Sequence, residues 1–533
     1  MKRLNEIKEI LEKYPQYRET LFCRGYLVTT RIFQNTAEYP FYSQWNRISC
    51  GRLENGTWLN IYFHRWQNCH FAEEGKITAA MIGHAYNPFD MKYREAEILK
   101  DCIKAYSKNR ESFFEKISEL TGIHLIIIND TGKLTIVQDC SGMRACYFGR
   151  VKGDIYLTSH PRLAGDLLGL HIDPFVEELT GKWFFRFGQQ YLPGSLSPYM
   201  EFEKLGPNTY LEFGKEFRVK RFYPLKPHPE LSPDRYEDVL KDIGGLMKKN
   251  IELCISKWKA PAISLSGGLD SKTTLACANG LYDKLKYFSF HCKPSEVLDA
   301  KAAHKICGVF GIEHKIHAIP ETNDRVRDYD VLRRIIRHNT AYLNVPPERE
   351  MRKYIYLYRL KDFDVELKSW VSEVGRSIWE RKYNIEFPEV LTPHHFSIFQ
   401  TRYLFAPSLL KKSNNCYREY LRKINLEKPL FNYRHTDSYV WEFAFGFWGQ
   451  SVFTGQEIFR HEVTIPMNNR KLLDMFLWFP RNYRKRDMVH RELVRRSNNK
   501  IDGLENVYNP DAGTKRIFLE HAYYRYSTLF KNR

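Results

Sequence analysis

The stretch richest in chemistry is Ala262-Ile263-Ser264-Leu265-Ser266-Gly267-Gly268-Leu269-Asp270-Ser271-Lys272. An apolar strand runs straight into Ser-Gly-Gly-x-Asp-Ser, and a helix opens immediately behind it. The two glycines let the backbone come close to a ligand and take conformations closed to other residues. Free amides at the helix start, at the positive end of its dipole, suit a phosphate. Ser266 and Ser271 add hydroxyl donors. Asp270 would repel bare phosphate, so its presence predicts a bridging cation, Mg2+ held by oxygen ligands. No Gly-Lys-Ser/Thr follows the glycines, which excludes a Walker loop. The plainer alternative is a Gly-Gly turn between a strand and a capped helix.

Such a loop needs a parallel sheet to hold it, and the flanking pattern predicts one. Pro224, Pro227, Pro229 and Pro233 mark a proline-rich stretch where the main boundary falls. Beyond it, strands are expected at 262–266, 286–291, 314–319 and 364–369 with helices between them, and mostly helix from about 390 onward. Ahead of it, Leu4, Ile7, Ile10, Leu11 and Tyr14 predict an amphipathic helix over 1–20. Residues 22–87 read as strand-rich, 93–119 as helical, and 124–129, 134–139 and 154–159 as strands, with Asp130-Thr131-Gly132 a hairpin turn. The expectation is an α+β domain with antiparallel sheets at 1–223, followed by an α/β domain at 224–533 with extra C-terminal helices.

Composition fits a folded chain of more than one domain. Of 533 residues, 43% are hydrophobic and 15% aromatic, which excludes wholesale disorder. Net charge is 82 − 63 = +19. That favours anionic partners: nucleotides, nucleic acid, acidic sugars or a membrane surface. No apolar run reaches the roughly 20 residues that span a bilayer, and the start lacks the apolar core of a signal peptide, so a cytoplasmic location without a membrane partner is expected. The 11 cysteines form no C-x-x-C pair and read as reduced thiols. The basic run from Arg481 through Arg484, Lys485 and Arg486 to Arg495 and Arg496, with Asp487 and Glu492 among it, reads as a solvated helix face.

Ser-Gly-Gly-x-Asp-Ser after a strand resembles the pyrophosphate loop of the ATP pyrophosphatase group, and its neighbours resemble the asparagine synthetase family. Glu296-x-x-Asp299-Ala300-x-Ala302-Ala303 follows the next strand, and Phe310-Gly311-Ile312-Glu313-His314 leads into a third. In the first half, 120–130, 137–148, 156–160 and Leu205-Gly206-Pro207-Asn208 are similar to the later part of that family's glutaminase domain. The resemblance covers most of about 75–470 and is strongest at 262–271. It implies a degenerate glutaminase-like (Ntn-hydrolase) first domain and an adenine nucleotide alpha hydrolase-like second domain. ATP and Mg2+ are the implied cofactors, and Leu265, Ser266, Gly267, Gly268, Asp270, Ser271 and Phe290 the implied nucleotide site.

Three departures follow. The family nucleophile is a Cys directly after the initiator Met; here Lys2 stands there, and the first cysteine is Cys23. An N-terminal nucleophile needs its own free α-amine, so loss of glutamine hydrolysis is expected. The family loop Ser-Gly-x-Gly-x-Asp-Glu is replaced by Ser372-Glu373-Val374-Gly375-Arg376-Ser377. Its metal-binding Asp is missing. Glu373 then becomes the replacement oxygen ligand beside Asp270, Arg376 a fork for phosphate or carboxylate, and Gly375 a nucleotide contact; the alternative is a helix start capped by Ser372. The family's charge-stabilising C-terminal lysine maps to Lys515, in Asn509-Pro510-Asp511-Ala512-Gly513-Thr514-Lys515, or less directly to Lys485 or Arg486. The resemblance implies an AMP-forming ligase joining ammonia or an amine to a small-molecule, sugar or peptide carboxylate. A homodimer stays open. So do two rivals: an RNA-modifying adenylating enzyme, and a decayed nucleotide-binding scaffold.

Overall fold

The computed structural model describes residues 2–229, 231–343, 345–504 and 510–529. The first helix covers Lys2–Lys13, and a 3-10 turn, Pro15–Thr20, follows it. The expected single helix breaks there because Pro15 has no N–H to continue the ladder.

Twelve strands of the described residues follow: β1 (Tyr26–Thr29), β2 (Trp45–Arg52), β3 (Trp58–His64), β4 (Cys69–Glu74), β5 (Ile77–Tyr86), β6 (Thr121–Asp130), β7 (Lys133–Gln138), β8 (Tyr147–Val151), β9 (Asp154–Thr158), β10 (Phe202–Lys204), β11 (Thr209–Phe213) and β12 (Phe217–Arg221). They form two antiparallel sheets, ordered β10-β8-β9-β1-β3-β2 and β12-β11-β7-β6-β5-β4. β6 explains how the sheets lie. Leu125 and Ile127 join Val28, Ile61 and Leu157 in a core between the sheets, whereas Ile126 and Ile128 pack with Ile98, Leu99 and Cys102 of the helix Glu95–Lys108. Both faces are covered, so the strand reads as an unbroken apolar run rather than an alternation.

The second half carries a parallel sheet of β13 (Pro261–Ser264), β14 (Lys286–His291), β15 (Lys315–Ala318), β16 (Val365–Leu367) and β17 (Glu462–Thr464), ordered β15-β14-β13-β16-β17. β17 was not expected from the sequence. Three residues inside a helix-rich region leave no periodic signal. The chain moves outward from β13 through β14 to β15, then returns to β13's other side with β16. The strand order therefore reverses between β13 and β16. In open sheets of this kind the ligand crevice lies beyond the carboxyl ends of the strands at that reversal.

Candidate functional site

β13 delivers Ser266-Gly267-Gly268 to the crevice, and the helix Leu269–Cys277 leaves it. Lys272 donates the first backbone bond of this helix, to the Gly268 carbonyl at 3.2 Å. The amides of Leu269, Asp270 and Ser271 thus have no partner within the helix and face its N-terminal end. Ser271 braces the loop from inside. Its hydroxyl donates to the Ser266 carbonyl (2.8 Å) and lies 3.1 Å from the Gly268 carbonyl, while Ser266 N–H donates to it at 3.2 Å. This hydroxyl shapes the loop instead of pointing outward as expected. Gly267 N–H donates to Asp299 Oδ1 at 2.7 Å, from the helix Pro294–Val309. Gly268 has ordinary backbone angles, φ −77° and ψ 159°, which corrects the expectation of a glycine-only conformation. A Cβ there would meet only Ser266 Oγ, at 3.2 Å. Neither backbone nor packing demands glycine at 268.

The opposite wall is the turn Ser372–Arg376 that follows β16. It is bracketed by Val371 at φ 73° and Ser377 at φ 45°, both left-handed. That conformation is costly for a β-branched valine, and such strain concentrates at functional sites. The Ser372 hydroxyl donates to Asp270 Oδ1, and Arg376 Nη1 donates to Asp270 Oδ2 at 2.5 Å. Arg376 also grips Asp487 through Nε (2.9 Å) and Nη2 (3.0 Å), and Arg381 donates to Asp487 at 2.7 Å. The buried His490 ring stands 3.8 Å from Asp270. Both its nitrogens lack hydrogen-bond partners, as do Ser369 Oγ, Glu373 Oε2 and Ser377 Oγ. Buried polar atoms without partners are rare in folded proteins, and here several gather behind one crevice.

The remaining expected residues are placed as follows. Leu265 is buried at the end of β13, and its carbonyl accepts from Ser289 Oγ at 2.6 Å. Phe290 lies at the end of β14 beneath the Lys353 ammonium, 5.6 Å from the ring centre. Gly375 faces Phe476 instead of the crevice: a Cβ there would fall 2.7 Å from that buried ring. Gly375→Ala should therefore destabilise the chain by about 1–3 kcal/mol through overpacking, measured as a lower urea midpoint. An unchanged midpoint would show that the ring moves freely. Lys515 is exposed on the helix Pro510–Thr528. This helix docks through Tyr524 on Tyr383 and Phe387, and through Glu520 on Arg402. No contact among the described residues brings Lys515 to the loop. Asn509 of that stretch lies outside the described residues. Lys485 is half-buried and Arg486 exposed on the neighbouring 481–486 segment.

Charges around the crevice are tuned by burial. Burial first, then the charge of Asp270, pushes the Glu373 carboxyl up to about 8. Burial would raise Asp487, but its bonds to Arg376 and the charge of Arg381 win and hold it below its ordinary value. Burial pulls His490 down to about 4, so its ring is neutral. Glu373 has a consequence for stability. Below its ordinary value of about 4.3 both folded and unfolded chains hold the proton; between there and about 8 only the folded chain does, so stability falls as pH rises through that window. A Glu373→Gln variant should gain on the parent chain as pH rises from about 5 to about 8.5, read from paired urea midpoints. A constant difference between the two would refute the shift.

The expected pairing of Asp270 and Glu373 as Mg2+ ligands does not fit these residues as arranged. Both Asp270 oxygens are already engaged, one by Ser372 and one by the Arg376 cation. Among the described residues no group of three or more His, Cys, Asp or Glu side chains is placed to hold a metal ion. Sequence reasoning missed Asp487, His490 and Arg381 as members of this site. Asp487 had been read as a solvated partner in its own basic helix. The available signal was an Asp standing directly ahead of the helix Met488–Ser497; the structure adds that it is left-handed there (φ 59°). Arg484 of the same run is also turned inward, bonded through both Nη atoms to Asp437 at 2.9 and 2.7 Å.

Comparison with known proteins finds a family match over one side of the crevice. Residues 248–355, which include the loop, match the Asparagine synthase family. No curated protein matches the chain. Similar solved structures include the allosteric regulatory enzyme of purine biosynthesis (10% identity, 45% of this chain and 60% of that one, TM-score 0.25). Another is the glutamine phosphoribosylpyrophosphate amidotransferase from B. subtilis complexed with ADP and GMP (9%, 59% and 63%, TM-score 0.22). A third is the glutamine-dependent NAD+ synthetase from Acinetobacter baumannii with adenosine diphosphate (15%, 28% and 28%, TM-score 0.16). The chain spans less than two thirds of the length of each.

Proposed function

We propose that this chain, asparagine-synthetase-like across residues 248–355, is an ATP-dependent amide-forming ligase. A substrate carboxylate oxygen attacks the α-phosphorus of ATP, the bond to the bridging oxygen of the β-phosphate breaks, and pyrophosphate leaves. Ammonia or an amine then attacks the acyl carbon, loses a proton, and AMP departs. The observation that carries this reading is Gly268. It has an ordinary backbone and only the Ser266 hydroxyl, 3.2 Å away, beside its missing Cβ, at the mouth of unpartnered helix amides and at the sheet's reversal point. Glycine there leaves room for a phosphate to reach those amides. Asp299 fixes the Gly267 amide and Ser271 fixes the bend, so the donors are set before the ligand arrives.

The nitrogen comes from outside the chain in this reading. Cys23 is wholly buried just ahead of β1. The segment before it packs inward through Ile7, Leu11, Leu21 and Phe22, and Phe22 N–H donates to Asn339 at 2.8 Å. Cys23 therefore has no free α-amine to act as base, and burial raises its thiol. No helix among the described residues is long and apolar enough to cross a membrane.

The test is to incubate the chain with ATP and candidate carboxylates and to measure AMP and pyrophosphate. Carboxylate-dependent AMP supports the ligase. ATP binding without turnover makes the chain a nucleotide-binding scaffold, and turnover only with RNA makes it an RNA modifier.

A further inference from the structure

Within the nucleotide reading above, the loop carboxylate already has a cation. Arg376 spans Asp270 and Asp487, and Arg381 completes the set, so two carboxylates meet two guanidinium groups. A divalent ion would have to share Asp270 with a guanidinium and add its charge to a cluster that is already balanced. The arginine is also built in rather than draped over the surface. Its side chain is only 13% exposed, and its turn is held between the left-handed Val371 and Ser377. Asp487, which takes two of its N–H groups, is itself fixed in a left-handed conformation at a helix start. A guanidinium has five N–H groups. Three are engaged here: Nε and one on Nη2 with Asp487, and one on Nη1 with Asp270. One remains on each Nη. Two charged N–H donors on one guanidinium suit the oxygens of a phosphate. Asp270 keeps 22% of its side chain exposed, so this edge of the cluster opens to the crevice.

We infer that Arg376 stands where a ligase of this kind would otherwise hold a divalent metal: it is the resident cation of the loop, and its two remaining N–H groups receive the pyrophosphate end of the nucleotide. Asp270 and Asp487 act as positioning residues that aim it. Nucleotide is then gripped without a protein-bound metal.

Two binding measurements on the full chain test this. In the first, Mn2+ alone is titrated and followed by electron paramagnetic resonance; no micromolar site is expected. A micromolar Mn2+ site that Asp270→Asn abolishes would overturn the inference. In the second, inorganic pyrophosphate is titrated calorimetrically in EDTA and again with Mg2+. Binding in EDTA is expected, with a loss of about tenfold to a hundredfold in Arg376→Met, the worth of a charge-assisted bond. Pyrophosphate binding only with Mg2+ defeats the role of Arg376 and leaves the nucleotide reading standing. Failure of both pyrophosphate and ATP to bind under either condition defeats the nucleotide reading, and this inference with it. The parent-chain measurements need no variant, so a misfolded Arg376→Met does not blunt them.

Discussion

A Gly268→Leu variant should fold as well as the parent chain and bind ATP at least about a hundredfold more weakly. The two halves of that expectation come from separate observations. Stability is spared because Gly268 sits at φ −77°, where any residue is comfortable, and because an added Cβ meets only Ser266 Oγ. The Ser266 hydroxyl has to give by a few tenths of an ångström, a cost expected to stay within about 1 kcal/mol. Binding suffers because the new side chain occupies the mouth of the helix N-terminus. Two backbone donors lost to a phosphate, at about 1.5–3 kcal/mol each, exceed the roughly 2.7 kcal/mol that a hundredfold requires. Calorimetric titration of ATP, paired with a urea melt, reads both. Undiminished ATP affinity in a folded Gly268→Leu chain would mean that phosphate does not approach this bend, and the ligase reading would fall with it.

The loop was legible in the sequence because everything that defines it is local. Strand, glycine pair and helix start lie within about a dozen consecutive residues, and each carries its own stereochemical signature. The two antiparallel sheets were legible for the same reason: β6 and β7 with the turn at Thr131 and Gly132 are one hairpin. The far wall of the crevice was only half legible. Its sequence disclosed that the usual carboxylate was missing, but not what took over. Arg376 meets Asp270 across 106 positions and Asp487 across 111. That meeting depends on the helix Met488–Ser497 packing beside Leu269–Cys277 and Tyr236–Lys257, as His490, Leu493 and Cys277 show by their burial. Charge runs mislead in such places. Arg484, Asp487 and Arg495 lie in one basic stretch, yet the first two are turned inward to partners and the last faces solvent on Glu492. No spacing rule separates them, because tertiary partners decide which face of a short helix is buried. Gly375 misled in the opposite direction. Family resemblance gave it a ligand to face, whereas Phe476 supplies the reason for its missing side chain.

Glu442→Ala should rank among the most destabilising single changes in the ion pairs that join the halves of the chain, at about 3–5 kcal/mol. Arg221 ends the edge strand β12, and Glu442 lies in the π-helical segment Val440–Gly449 of the second half. They meet as a fork, Nη1 to Oε1 at 2.7 Å and Nη2 to Oε2 at 2.8 Å, with both side chains under a tenth exposed. Asn208 Nδ2 donates to the same Oε1 at 3.1 Å, and Arg221 Nε donates to the Ile424 carbonyl at 2.8 Å. Removing the carboxylate leaves a guanidinium buried against carbonyls alone, and the unpaired charge dominates the cost. Truncating both partners, as in Arg221→Met with Glu442→Leu, should recover much of the loss, since desolvating the pair offsets most of its attraction. The exposed pair Lys423–Glu203, at 2.6 Å, makes the comparison: breaking it should cost under about 1 kcal/mol despite its short contact. Urea melts of Glu442→Ala, the double variant and the surface variant give all three numbers. If Glu442→Ala costs no more than the surface variant, the buried fork does not clamp β12 to the second half of the chain, and the apolar core shared by Tyr223, Trp441 and Phe222 holds that junction unaided.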